Sequence, residues 1–246
     1  MRSITFNNIL ELKTVDSTNS YLKKHISGLK TGTVVFSGEQ TSGRGRMNRN
    51  WQGEKDKSVF CSFLLKEMYE PIDAVRITFL FSIAVRFLLL KYIPNSKIKL
   101  KWPNDVLCSG KKICGILSEH TGDSVISGIG LNVLNFDPEK EIEQPWTTVE
   151  SESGSRPDIA GFKISLIECV NQVFERYCTT ELSDIPSIWF REAGILNRRV
   201  SVVSGKESFS GKIRMTDSNG GLVITDERTG ELRSIYTGDI NYDDKL

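Results

Sequence analysis

The longest apolar run of the chain, Ile77 to Leu90, is interrupted by Arg86. It is too short to span a bilayer, which takes about 20 apolar residues, and reads as a helix buried in a soluble interior. That helix is predicted to start near Pro71, since proline is tolerated in a first turn. Strand patterns lie on both sides of it in sequence: Thr33–Ser37 and Ser58–Leu65 before, and Ile98–Trp102, Lys112–Glu119 and Ser124–Val133 after. Ile98-Lys99-Leu100-Lys101-Trp102 alternates, so Lys99 and Lys101 share one face of a strand. Pro103-Asn104-Asp105 ends that strand, and Gly110 and Gly122-Asp123 mark turns.

Upstream, residues 1–13 read as a strand. The cluster Asp16-Ser17-Thr18-Asn19 then offers N-caps for a helix through Tyr21, Leu22 and Ile26, closed by Gly28. Downstream, Glu139 to Pro157 is polar and reads as a loop or linker. Ile159, Phe162, Leu166, Val170, Val173 and Tyr177 recur at helical spacing. A shorter helical piece around Ile188-Trp189-Phe190 ends near Gly194. The tail changes character: Val200–Val203, Phe209–Met215, Leu222–Thr225 and Leu232–Tyr236 are short strand patterns separated by glycine turns, which indicates a small β-barrel. A boundary near Leu196 divides the chain into 1–195 and 196–246.

The 246 residues are ample for a sizeable core, and 32 basic against 31 acidic residues leave no global field to draw in nucleic acid or membrane. Five cysteines, Cys61, Cys108, Cys114, Cys169 and Cys178, are an odd number without a C-x-x-C pair. They read as free buried thiols of a reducing compartment. With no signal-peptide pattern at the N-terminus, a cytoplasmic protein is expected. His25 and His120 are the only histidines, so a zinc site is not expected.

Basic charge is concentrated instead in Gly43-Arg44-Gly45-Arg46-Met47-Asn48-Arg49-Asn50-Trp51. Two glycines alternate with two arginines, so the backbone can take unusual angles between fixed positive charges. Arginine forks suit phosphate oxygens, and Trp51 adds a flat apolar surface. By itself such a stretch fits a phosphate-covering loop or an RGG-like nucleic-acid segment.

Four further segments accompany it: Asp16-Ser17-Thr18-Asn19, Lys101-Trp102-Pro103-Asn104-Asp105, Lys112-Ile113-Cys114-Gly115-Ile116-Leu117 and Gly128-Ile129-Gly130-Leu131-Asn132. In order and spacing, the five segments resemble the biotin–protein ligases, whose patterns are D-S-T-N, G-R-G-R followed by W, K-W-P-N-D, K-x-x-G-I-L and G-x-G-x-N. The resemblance extends over the whole catalytic domain and the small β-domain after it. It is to the short, ligase-only form, because no helix-turn-helix precedes the first segment.

The resemblance implies an α+β fold: a catalytic domain related to class II aminoacyl-tRNA synthetases, with helices on a mixed sheet, and a C-terminal SH3-like barrel. It implies biotin and ATP as substrates, Mg²⁺ as cofactor, a biotin carboxyl carrier domain as acceptor, and either a monomer or a homodimer. Ser17, Thr18, Asn19, Gln40, Gly43 and Gly45 would contact biotin. Gly115, Gly128 and Gly130 would let strand backbone approach it. Lys112 would stand between biotin carboxylate and α-phosphate, with Arg44 and Arg46 gripping phosphate. Arg49, Trp51, Lys101, Asn104, Asn132, Trp146 and Arg214 are the further nucleotide contacts. Asp105 would place Mg²⁺ or orient the incoming lysine amine. Glycine is usual in the family where Asn48 stands, and a basic residue where Met47 stands. Two rivals fare worse. A lipoate–protein ligase would lack the K-W-P-N-D pattern, and a nucleic-acid-binding module is opposed by the near-zero net charge.

Overall fold

A computed structural model describes residues 4–138, 142, 144–177, 179–205 and 207–243, apart from the side chain of Asn48. Seven strands form the larger sheet: β1 (Asn8–Val15), β2 (Thr33–Gln40), β3 (Ser58–Lys66), β4 (Ile98–Lys101), β5 (Asp105–Cys108), β6 (Lys111–Thr121) and β7 (Ser124–Asn132). Their spatial order is β1-β2-β3-β7-β6-β5-β4. Only β1 and β2 run parallel; every other pairing is antiparallel, so the sheet is mixed. Helix α1 (Thr18–His25) makes the crossover between the parallel pair. Central β3 is buried along almost its whole length, which is why Ser58–Leu65 is nearly continuous in apolar residues rather than alternating.

The apolar run is helix α2 (Asp73–Leu89), buried on nearly every side. It lies between the sheet and two further helices, α4 (Ile159–Arg176) and α5 (Ile185–Ala193). Phe81 of α2 meets Phe63 of the sheet and Phe174 of α4, with ring centroids 4.7 Å and 5.2 Å away. Phe79 stacks on Trp189 of α5 at 4.5 Å. Arg86, the charge that breaks the run, is satisfied at the rim: its guanidinium donates to Glu192 and to Asn95, each at 2.8 Å. Among the described residues no helix is long and apolar enough to cross a membrane.

Residues 196–243 contribute β8 (Arg199–Ser204), β9 (Glu207–Thr216), β10 (Leu222–Asp226), β11 (Leu232–Ile235) and β12 (Asp239–Tyr242). They form one antiparallel sheet in the order β11-β10-β9-β8-β12. Strand β12 went unpredicted. Its apolar content is Ile240 and little else, too short a pattern to register. The small sheet is fastened to the turn after β4 and to α5 through polar atoms at buried positions. Trp102 Nε1 donates to the Gly220 carbonyl at 2.9 Å, and Thr216 Oγ1 to the Pro186 carbonyl at 2.8 Å.

Two local readings change. Residues 139–141 and 143 of the stretch taken as a linker lie outside the described residues, and its part from Gln144 to Pro157 folds back onto the large sheet: Lys112 N donates to Pro145 O at 2.8 Å and Thr147 N to Lys112 O at 2.9 Å. It also holds a short helix, α3 (Val149–Ser153), capped by Thr148, whose hydroxyl oxygen accepts from Ser151 N. Polar composition here reflects caps and turns rather than freedom. The second change concerns Ser17, which occupies the N-cap position of α1 without a side-chain cap bond. Of the five cysteines, Cys61, Cys108, Cys114 and Cys169 are free and buried as expected, and Cys178 lies outside the described residues.

Candidate active site

A cleft of about 1300 Å³ opens over β6 and β7, between the start of α1, the Arg44–Trp51 hairpin, the β4–β5 turn and β12. Every residue singled out from the sequence lines it except Gly43 and Arg214.

Lys112 reaches the cleft through an irregularity of the sheet. Val106 pairs with Cys114, but Leu107 pairs with Lys112, so Ile113 is one residue too many on β6. A bulge of this kind reverses the side-chain alternation. Ile113 and Cys114 both stay in the core, and Lys112 lands on the face of Gly115. A Cβ on Gly115 would lie 3.1 Å from Lys112 Cε. The ammonium ends 2.7 Å from Asp105 Oδ1 and 5.3 Å from the centroid of the Trp51 ring.

The glycines of β6 and β7 are regular register partners: Gly115 faces Gly130, and Gly128 faces Leu117. The bare backbone at the first pair is covered by the Trp51 indole. A Cβ would stand 2.7 Å from its Cζ3 at Gly115 and 2.3 Å from its Cε2 at Gly130. At Gly128 a Cβ would stand 2.4 Å from Asn19 Oδ1. The space these glycines leave is lined by two side chains of the cleft, Trp51 and Asn19. Trp51 Nε1 and Asn132 Oδ1 are among the buried polar atoms of cleft residues that have no hydrogen-bond partner among the described residues. Buried polar groups are otherwise almost always paired, so these mark unmet demand for a donor and an acceptor.

The basic stretch is a hairpin, tied by Gly45 N to Arg49 O at 2.7 Å and by Trp51 N to Gly43 O at 3.0 Å. Its left-handed residue is Met47, at φ 53°, and not either glycine. Gly43 is required for another reason: a Cβ there would stand 2.7 Å from the Trp51 carbonyl oxygen. Arg44 donates to Ser20 Oγ at 3.2 Å and to Glu119 Oε2 at 3.4 Å. Arg46 donates to Asn104 Oδ1 at 3.3 Å, and Asn104 Nδ2 donates to Ile116 O at 2.8 Å. Arg49 grips Asp239 of β12 with both terminal nitrogens.

Arg46, Arg49, Lys101 and Lys112 share one electrostatic neighbourhood with Asp105 and Asp239. Four cations against two carboxylates leave a positive surplus suited to a polyanion. Burial lowers Lys101 below the usual lysine range, with Asp105 opposing the shift. Burial likewise lowers Arg46, again against Asp105. Asp239 is held low, first by its hydrogen bonds from Arg49.

Trp146 stands beside Lys112 in a parallel bridge and stacks on Phe136 at 4.7 Å. Arg214 does not line the cleft: it is the exposed extra residue of a bulge in β9, opposite Val223 and Ile224, and donates to Thr225 Oγ1 at 2.7 Å and Asn197 Oδ1 at 2.6 Å. Asp105 is paired with Lys112, and among the described residues no group of three His, Cys, Asp or Glu is placed to hold an ion by side chains alone. Mg²⁺ usually needs only one or two carboxylates together with substrate phosphates, and Asp105 is the carboxylate that would supply one here.

Three contributors were missed from the sequence. Asp239 arrives on the unpredicted strand. Ser62 is a buried hydroxyl inside an apolar strand, and Glu119 lies in the polar half of β6. No short motif marks any of them.

Residues 11–136 match the biotin/lipoate A/B protein ligase family. The chain belongs to this family. Among its relatives is the bifunctional ligase/repressor BirA of Escherichia coli, 28% identical over 94% of this chain and 72% of that protein. The biotin–[acetyl-CoA-carboxylase] ligase of Paracoccus denitrificans is 28% identical over 87% of this chain and 92% of that one. In fold, the family member superposes on the biotin protein ligase of Aquifex aeolicus in complex with biotin and ATP. The TM-score is 0.78 at 27% identity, covering 96% of this chain and 98% of the other. The α+β fold expected from the five segments is the fold observed.

Proposed function

We propose that this chain is a biotin–protein ligase acting in two half-reactions. In the first, a biotin carboxylate oxygen attacks the α-phosphorus of ATP. A P–O bond forms, the bond to pyrophosphate breaks, and biotinyl-adenylate results. In the second, a lysine amine of a biotin carboxyl carrier domain attacks the acyl carbon. The C–N bond forms, the bond to AMP breaks, and the amine gives up its proton.

The observation that carries this reading is Lys112, turned by the β6 bulge onto the glycine face of the cleft beside Asp105. Two anions have to approach each other in the first step, and a fixed cation at that point offsets their repulsion. Arg44 and Arg46 extend the positive surface from the hairpin, and Lys101 from β4. On the other side of the cleft, Thr18 and Gln40 present the hydroxyl and amide groups that an apolar ligand with one polar ureido ring needs. Trp51 Nε1 and Asn132 Oδ1 offer the donor and acceptor left over for the nucleotide. Asp105, held by Lys112, orients the incoming amine in this reading. We take residues 1–195 as the catalytic unit and 196–246 as the small unit that brings Asp239 to the hairpin.

The test is pyrophosphate release from ATP with biotin and, separately, with lipoate. Release with biotin only is expected. Release with lipoate only, or with neither, overturns the reading.

A further inference from the structure

The small sheet reaches the cleft with an edge. Strand β12 stands last in the order β11-β10-β9-β8-β12, and all four of its residues, Asp239 to Tyr242, line the cleft. Side chains alternate along it. Asp239 takes the grip of Arg49, while Ile240, on the other face, is buried in the core. Tyr242 shares the face of Ile240, and its ring packs against the same core. Its hydroxyl oxygen is buried and has no hydrogen-bond partner among the described residues.

An unpaired buried hydroxyl is destabilising, so one that persists needs a reason. The polar groups that act on it are the Arg198 guanidinium and the Trp102 backbone N–H. Both are donors. The phenol oxygen can accept from either, but its own proton finds no acceptor in that company. Burial raises the phenol above its ordinary pKa, against the pull of Arg198 and Trp102, so the proton stays on. Asp239 does not answer it, because it lies on the opposite face of β12 and is held by Arg49. Tyr242 is therefore a neutral donor in want of an acceptor.

We infer that Tyr242 is a binding residue for the polyphosphate of the nucleotide, its hydroxyl donating to a phosphate oxygen. The neighbours select that acceptor. Trp102, whose N–H is the backbone donor beside the hydroxyl, follows Lys101 in the chain. Lys101, Arg46 and Arg49 share one electrostatic neighbourhood with Asp239 of the same strand. A ligand oxygen drawn to this end of the cleft is anionic, and the hydroxyl adds a directed bond to that attraction. The contact needs a small rotation of the partly buried side chain, since the oxygen is shielded from water as it stands. The inference rests on the proposed function for the nucleotide itself. It gives the small sheet a direct part in binding, besides the Arg49–Asp239 tether.

The experiment titrates α,β-methylene-ATP, which cannot be cleaved at the reacting bond, into the wild type and Tyr242→Phe at saturating biotin, and titrates biotin into both. Phenylalanine keeps the ring in the core and deletes only the hydroxyl. Affinity for the analogue is expected to fall on the order of tenfold, the scale of one hydrogen bond to a charged group, with biotin affinity within about twofold. Without ligand the variant is expected to melt no lower than the wild type, because it buries one unpaired polar atom fewer. Unchanged affinity for the analogue overturns the inference. So does a lower melting temperature with both affinities falling together, which makes the hydroxyl a structural partner of Trp102. Either result leaves the ligase reading standing. A wild type that binds the analogue tenfold more tightly than the variant, yet releases no pyrophosphate with biotin, supports the role of Tyr242 and overturns the ligase reading alone.

Discussion

Removing Lys112 should do more than delete one cation, because its ammonium stands 2.7 Å from Asp105 Oδ1. Lys112→Ala leaves that carboxylate unpaired beside the place where two anions meet. Loss of a group that stabilises developing charge commonly costs ~10²–10³ in rate. The exposed carboxylate adds repulsion. A unit charge about 4 Å from another is worth about 4 kcal/mol at an effective dielectric constant of about 20. Lys101 and Arg46 already feel the field of Asp105 and absorb part of that repulsion. Taking about half of it, roughly 2 kcal/mol, gives a further factor of about 30. The single variant should therefore lose roughly 3 × 10³ to 3 × 10⁴ in the rate of adenylation. Lys112→Ala with Asp105→Asn should run about 30-fold faster than the single variant, since the amide brings no charge. Pyrophosphate release at saturating biotin and ATP reads the first half-reaction alone, so any role of Asp105 toward the acceptor amine does not enter. Thermal unfolding checks that both variants fold. A Lys112→Ala enzyme within about tenfold of wild type would refute the assignment of Lys112. A double variant no faster than the single one would refute the electrostatic account of Asp105.

Three further outcomes follow from the same geometry. Phosphate binding by Lys101 requires its ammonium, which burial makes easier to deprotonate, so ATP affinity should fall as pH rises through a pKa below the usual ~10.4 of lysine. Lys101→Arg should push that decline to higher pH; isothermal titration across the alkaline range measures both, and a coincident decline in the two proteins contradicts it. Gly130→Ala puts a methyl group 2.3 Å from Trp51 Cε2, so it should cost about 1–3 kcal/mol of overpacking and shift the tryptophan emission, and unchanged melting with unchanged emission speaks against the seat. Asp239→Asn should barely move stability, because the pair is 59% and 46% exposed and such pairs are worth about 0–1 kcal/mol. It should nevertheless raise KM for ATP several-fold by freeing the hairpin from β12, and an unaltered KM would dismiss the tether.

Much of this site was legible because its chemistry sits in contiguous segments. Lys101 through Asp105 form one strand end and its turn, and all five line the cleft. The helices were legible because α2 and α4 bury long apolar faces. Illegible were the contacts between segments far apart in the chain. Nothing near Arg49 in sequence announces Asp239, 190 residues away, and nothing in Ser58–Lys66 distinguishes Ser62 from a residue that merely fills space. Arg214 departs for the opposite reason: a matching residue type was visible, but a bulge in β9 leaves it exposed and outside the cleft lining.

The bulge at Ile113 shows how little sequence separates a working site from a dead one. Lys112, Cys114 and Ile116 would share a face in a regular strand, and Cys114 and Ile116 are core residues. A lysine in that register would enter the core without a partner, at a cost far above any gain. One extra residue between the Val106 and Leu107 pairings moves Lys112 to the other face, beside Gly115 and within reach of Asp105. The Ser109-Gly110 turn sets the near end of that geometry, with both residues at positive φ as a two-residue hairpin demands. The Trp146 strap holds the far side, since Lys112 N and O are both bonded to it. The backbone of Lys112 is thus held by the bulge, by the Ser109-Gly110 turn and by the Trp146 strap, and its side chain stands on the cleft face.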